Sequence, residues 1–214
     1  MAEEVNERLD FLRFAPRQVL VIGDAAGLLR DALSRRGAEV ESLGWHAWAA
    51  ERPLPPARFD MVVADHGLAS VNDLPGALVH LRRALTSQGM LLASIAGAGS
   101  VPRLRAAILA AETDRAYARI HPQVDSRSAS MLMQRTGFHR QVVDTARLTV
   151  RYGSLARLVD DLRDHGLGNV LRTPGPPLTR RQRSTIEAFL RAEGGADGRW
   201  SELFEMITLS GWTR

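Results

Sequence analysis

The chain contains neither cysteine nor lysine, so all 28 of its Lys and Arg cations are arginine. Lacking cysteine, it has no disulfide, thiolate metal site or thiol nucleophile, a usage that suits a reducing cytoplasm. Lacking lysine, it has no Schiff-base chemistry, phosphate-loop lysine or lysine general base. No apolar run is long enough to span a membrane. The opening Met1-Ala2-Glu3-Glu4-Val5-Asn6-Glu7 is acidic, without the charged start and apolar core of a secretory signal, and the expected location is cytoplasmic. Six histidines are scattered without metal-ligand spacing, so no metal site is expected. A Gly-x-Ser-x-Gly elbow and a full phosphate-binding loop are also missing.

What is present reads as an ordinary globular protein. The 214 residues are 45% apolar and 24% charged, with a formal charge of +4, enough for one substantial core. The arginines are dispersed, and only Arg180-Arg181-Gln182-Arg183 forms a tight cluster. That cluster reads either as a contact for nucleic acid or an acidic partner, or as a solvated helix face. The second reading is preferred, and nucleic acid is not an expected partner.

Apolar runs and breakers set out alternating elements. Gln18 to Ile22 reads as a buried strand, Gly27 to Arg36 as a helix ended by Gly37, and Glu39 to Leu43 as a second strand. Phe59 to Ala64 has the unbroken apolar character of a central parallel strand. Asp73 to Leu85 is a helix capped near Asn72 or Asp73, and Gln88-Gly89 turns into a strand over Met90 to Ile95. Helices are expected over Val101 to Tyr117, Ser128 to Arg135 and Leu155 to His165, and from a Thr179 cap to about Ala192. Further strands are expected over Gln141 to Tyr152 and Phe204 to Leu209. Successive strand–helix units imply a doubly wound, mostly parallel sheet in a single domain over 1–214, with a helical substrate-side segment at 97–140.

Only fifteen residues, 44 to 58, separate the second strand from the third. A full strand–helix–strand unit needs roughly thirty, so the usual edge strand is expected to be missing there. Ligands in such sheets bind beyond the carboxyl ends of the strands. This places Gly23 to Gly27, Asp65-His66 and Gly97 to Ser100 on the expected rim.

The residues that carry a family resemblance are Phe59-Asp60, Val71-Asn72-Asp73-Leu74-Pro75, Gly89, Ala111-Glu112-Thr113-Asp114-Arg115, Arg135-Thr136-Gly137-Phe138, Val143-Asp144-Thr145, Gly166-Leu167-Gly168-Asn169 and the ending Phe204 to Trp212. With them the chain resembles class I methyltransferases dependent on S-adenosylmethionine. Within that superfamily it resembles bacterial relatives of the methyltransferase-like assembly factor of mitochondrial respiratory complex I, and more distantly the methyltransferase of biotin synthesis. The resemblance implies a Rossmann-like fold with S-adenosylmethionine as cofactor. It also implies either methyl transfer, with a protein as one substrate class, or a non-catalytic binding or assembly role with a protein partner.

The family's glycine loop lies against the methionine part of the cofactor, where glycine allows close backbone approach. Gly23, Asp24 and Gly27 stand at that loop, while Ala25 replaces a usual glycine and Val21 a frequent acidic residue. Glu41, near the end of the second strand, is the candidate acceptor of the ribose hydroxyls, against the reading of an ordinary strand-end charge. Trp45 or Trp48 either stacks on an adenine ring or covers the exposed sheet edge.

Methyl transfer needs alignment and exclusion of water more than acid–base groups. Asp65, His66 and His121 are nonetheless the catalytic candidates; for Asp65 and His66 the competing reading is capping and loop hydrogen bonds. The resemblance brings Glu112, Asp114, Arg115 and Arg119 towards the substrate as orienting residues, though Glu112 and Arg115 also have the spacing of a surface helix pair.

Overall fold

The computed structural model describes residues 2–113 and 115–214. Asp114, one of the substrate-orienting candidates, therefore lies outside the described residues. In order the elements are α1 (Ala2–Leu12), β1 (Gln18–Ile22), α2 (Leu28–Arg35), β2 (Glu39–Leu43), β3 (Phe59–Ala64), α3 (Leu74–Ala84), β4 (Leu85–Ala96), α4 (Pro102–Ala111), α5 (Ser126–Arg135), β5 (His139–Tyr152), α6 (Leu155–Asp164), α7 (Arg180–Ala192) and β6 (Trp200–Trp212). A short 3-10 turn, Gly67–Ser70, follows β3. The strands form a six-stranded sheet in the order β2-β1-β3-β4-β6-β5. The pairs β1–β2, β1–β3 and β3–β4 are parallel. This is the mostly parallel, Rossmann-like arrangement that the sequence implies. Residues 44–58 contribute no strand, so β2 is the edge.

The chain divides into two compact units. The first comprises the chain up to Ile95, Ser126–Thr145 and Ile207–Arg214, and the second Ala96–Asp125 and Ala146–Met206. In the first unit Val19, Val21, Met61, Val63, Met90 and Leu92 pack with Val5, Leu9, Leu29 and Leu33. The alternate residues Leu20, Ile22, Val62, Ala64, Leu91 and Ala93 are equally inaccessible. A strand covered on both faces has to be apolar at every position, and this is why β1, β3 and β4 read as unbroken runs.

Several polar groups serve strand ends and helix caps. The Asp60 carboxylate accepts from the backbone N–H of Arg17 and Gln18 at 2.9 and 3.0 Å, which fixes the entry of the chain into β1. The Asp73 side chain caps α3 by accepting from Gly76 N–H at 2.9 Å. The second unit is built around Leu104, Ile108, Leu158, Ile186, Leu190 and Trp200. Its α7 starts with a reciprocal capping box between Thr179 and Gln182, as the sequence predicts.

The larger boundary differences from the sequence reading fall in β4, β6 and α4. β4 begins directly at Leu85, so Gln88-Gly89 lies within the strand, opposite a register shift between Phe59 and Met61. β6 extends well beyond 204–209. α4 ends at Ala111, six residues short of Tyr117, because Glu112 leaves the helix at φ −105°, ψ 73° and its carboxylate accepts from Tyr117 N–H at 2.9 Å. No helix of the described residues is long and apolar enough to cross a membrane.

One glycine in the first unit is required by packing. A β-carbon on Gly211 would lie 2.7 Å from Met133 Cε and 3.0 Å from Phe138 Cβ. Methionine can yield, but a β-carbon cannot. Gly211→Ala is therefore expected to lower the unfolding free energy by about 1–3 kcal/mol, the usual range for overpacking, as measured by chemical denaturation.

Candidate functional site

The carboxyl ends of β1 and β3 sit side by side. Asp65 N–H donates to Ile22 O at 2.9 Å, and Gly23 N–H donates to Leu43 O of the neighbouring β2, also at 2.9 Å. Gly23 turns out of β1 at φ 97°, and Gly27, at φ 71°, is the N-cap of α2. Both conformations favour glycine. The sequence thus locates the loop correctly, and its glycines are needed for backbone shape.

The space above this loop belongs to Trp45. A β-carbon on Gly23 would overlap the indole Nε1 and lie 2.6 Å from Cε2, and one on Gly67 would lie 2.5 Å from Cδ2. The indole N–H donates to Asp65 O at 2.9 Å, and the ring meets Trp48 edge-on with centroids 5.4 Å apart. Trp48 is buried and Trp45 half-buried. One aromatic side chain therefore rests against two glycines and is pinned by a hydrogen bond across the ends of β1 and β3.

The other groups around the loop have partners of their own. Asp24 Oδ2 accepts from Arg30 N–H at 2.8 Å, inside the first turn of α2. Glu41 is bound by Arg58 at 2.6 Å, and both side chains are substantially exposed. Asp65 and His66 do come together: His66 Nε2 lies 2.9 Å from Asp65 Oδ1, and its Nδ1 is 3.2 Å from Ser94 Oγ. His66 takes φ 53° to do so. Although the Asp65–His66 distance suits a hydrogen bond, Asp65 Oδ1 has no donor of correct angle. We therefore treat the pair as a close electrostatic contact. Ser94 was not singled out from sequence, and its only signal is a hydroxyl inside the apolar run Met90 to Ile95. Both imidazole nitrogens thus face neighbours, and Ser94 is itself buried.

In the second unit, Glu112 and Arg119 form a fork. Arg119 Nε and a terminal nitrogen reach Glu112 Oε1 at 2.7 and 2.6 Å, with the Glu112 side chain fully buried. Arg119 also donates to Pro176 O, Asn169 donates to Ala118 O, and Gly175 lies against Tyr117. These contacts tie the proline loop to the 117–119 segment. Arg115 is exposed with its guanidinium 5.3 Å above the Tyr117 ring, so it does not pair with Glu112 as helical spacing would suggest. His121 Nδ1 is buried without a hydrogen-bond partner among the described residues, and desolvation holds the imidazole pKa below its ordinary value. Ser100 is buried, exchanging hydrogen bonds with the Glu205 backbone at 3.2 and 3.0 Å.

No protein-family model matches the chain. Individual proteins do. A mitochondrial arginine-hydroxylase NDUFAF5 of Rattus norvegicus is 29% identical over 164 residues, covering 75% of this chain and 48% of that protein. A malonyl-[acyl-carrier protein] O-methyltransferase of Halorhodospira halophila is 27% identical over 239 residues, covering 99% and 79%. Among solved structures, a Bacillus halodurans protein assigned as a methyltransferase superposes with a TM-score of 0.62 at 14% identity, covering 96% of this chain and 97% of that one. Phosphoethanolamine N-methyltransferase 2 of Haemonchus contortus, determined with S-adenosylhomocysteine, gives 0.54 at 14% identity, covering 97% and 52%. The chain is similar in sequence to these relatives and shares the Rossmann-like methyltransferase fold of these structures. It spans about half the length of the rat protein that it matches.

In this methyltransferase-fold chain the cofactor candidates do not fit the role as they stand. The Gly23 cradle is filled by indole, Asp24 is a helix-turn acceptor and Glu41 is neutralised by Arg58. Two predictions follow from the geometry of the second unit. Removing one partner of a buried ion pair leaves the other uncompensated, so Glu112→Gln is expected to cost about 3–5 kcal/mol of stability by urea denaturation. His121 has a folded pKa below its unfolded value. The stability it contributes is therefore complete above the unfolded pKa and is lost as pH falls through the folded one. Wild type should lose stability as pH falls from neutral through the histidine range, and His121→Asn should show a shallower slope in melts at matched ionic strength.

Proposed function

We propose that the chain acts as a methyltransferase-fold binding factor for a protein partner and does not turn over S-adenosylmethionine. The observation that carries this reading is the indole of Trp45 resting on Gly23 and Gly67 and hydrogen-bonded to Asp65 O. Of these, Gly23 stands in the loop that the resemblance places against the methionine half of the cofactor, and Gly67 follows the end of β3. The missing strand between 44 and 58 adds to it, since the adenine side of the usual cleft has no scaffold. Support for a protein partner comes from the Halorhodospira halophila relative, whose named substrate is carried on a protein.

Under this reading Asp65, His66 and Ser94 hold the end of β3 against β4, while Glu112 and Arg119 shape the 112–119 segment. The polar run Asp65–His66–Ser94 favours a second reading, a methyltransferase in which Trp45 swings aside to admit the cofactor.

Calorimetric titration separates the two. The binding-factor reading expects dissociation constants for S-adenosylmethionine and S-adenosylhomocysteine weaker than about 1 mM, or roughly −4 kcal/mol. Trp45→Ala should then tighten binding by at least about tenfold, because the variant no longer has to expel an aromatic ring. Micromolar binding by the wild-type chain would overturn the proposal.

A further inference from the structure

The second unit has a cavity of about 410 Å³ that opens to solvent. Its walls are mainly Leu104, Ile108, Leu155, Val159, Leu162 and Phe204, from α4, α6 and β6. Small-molecule sites typically are clefts of this size with this mainly apolar lining. None of the described residues on its wall is acidic.

The polar groups on the wall differ in how far they are engaged. Arg119 is neutralised by Glu112, and Asn169 both donates to Ala118 O and accepts from Leu171 N–H. Gln123 uses its carbonyl to accept from Arg105, leaving its amide N–H groups for another acceptor. Arg163 holds Asp160 only at 3.7 Å with 72% of its side chain exposed, so its charge lies at the mouth and is weakly compensated. The first turn of α7 carries exposed Arg180, Arg181 and Arg183 with no acidic residue among them. Cations at a helix amino end work against the helix dipole and add nothing to helix stability.

We infer that this cavity binds an unbranched alkyl chain ending in an anionic head group, with the chain among the aliphatic walls and the head at Arg163. At roughly 30 Å³ per chain carbon, about the volume share of a liquid water, the cavity takes about ten to thirteen carbons. The site lies wholly within the second unit and does not depend on whether Trp45 excludes a cofactor.

Titration of the intact chain with straight-chain carboxylates from hexanoate to tetradecanoate tests this directly. Affinity should rise about fourfold per added methylene, the equivalent of 0.8 kcal/mol per buried CH₂, and level off once the cavity is full. Decanoic acid methyl ester should bind about tenfold more weakly than decanoate. Arg163→Ala, an exposed substitution that keeps the aliphatic wall residues, should remove that preference. Decyl phosphate distinguishes the source of the anion: tighter binding than decanoate indicates a phosphate-headed lipid, and weaker binding a free fatty acid. Val159→Trp should fill the cavity and abolish binding in a protein that still melts cooperatively. Saturable binding that is absent at all chain lengths, independent of chain length, or unchanged in a folded Val159→Trp variant would overturn the assignment.

Discussion

Strands β1, β3 and β4 are covered on both faces, and this single constraint decides where chemistry can reside in the first unit. Along Val19 to Ile22, Met61 to Ala64 and Met90 to Ala93 every side chain is inaccessible. A polar side chain within those runs needs a partner at once, because an unpaired buried polar group costs about 1–3 kcal/mol. Ser94, just past the last of them, meets the requirement through His66. Along these three strands the polar groups sit at the ends, where Asp60 anchors the entry of β1 and Asp65 the exit of β3. The shortness of residues 44–58 then acts on the same rim. The chain has to return from the end of β2 to the start of β3 without building a strand, and Trp45 and Trp48 fold onto the structure on the way.

Magnitudes decide which of the departures from a cofactor site matters most. The Glu41–Arg58 pair is exposed, and such pairs are worth about 0–1 kcal/mol. A hydroxyl pair would displace Arg58 at little cost. Displacing Trp45 is different. An aromatic side chain buries 150–250 Å² when fully enclosed. At about 25 cal/mol per Å² a half-buried indole therefore retains roughly 2–3 kcal/mol, and its N–H would also lose Asp65 O. That total corresponds to an affinity penalty of order 10²-fold. Val21 in place of an acidic residue removes a polar anchor that would offset it. The indole is thus the dominant obstacle, and Glu41 is a minor one.

Much of the fold is legible in the sequence because its determinants are local. Apolar runs mark the buried strands, Gly37 ends α2, Asp73 caps α3, and Thr179 with Gln182 starts α7. The missing strand is legible from length alone. Failures occur where a distant side chain overrides a local pattern. Residues 112–117 continue the helical spacing of α4, yet the Glu112 carboxylate bonds the Tyr117 N–H and Arg119, and the helix stops. Leu148 fits an alternating strand but is exposed, since β5 lies at the edge of the sheet. Within the candidate site, the glycine loop and the Asp65–His66 pair are visible in sequence. Partners such as Ser94 and Arg58 are not, because contacts across 28 and 17 residues leave no periodic trace.

The two units handle their polar groups differently, and this bears on where a ligand is accommodated. In the first unit the rim's polar groups lie against one another, with the space beside Gly23 and Gly67 taken up by tryptophan. In the second unit the buried carboxylate of Glu202 accepts from the backbone N–H groups of Arg103, Leu104 and Leu203. That of Glu112 is matched by Arg119, and this pair holds the 112–119 segment away from the helical path it would otherwise follow. If α4 continued to Tyr117, Arg119 and Ile120 would be carried off the wall that they now line. Buried ion pairs seldom add net stability compared with apolar packing. What this one supplies is a bend in the chain, and the bend keeps a hollow open among aliphatic side chains that would otherwise pack shut.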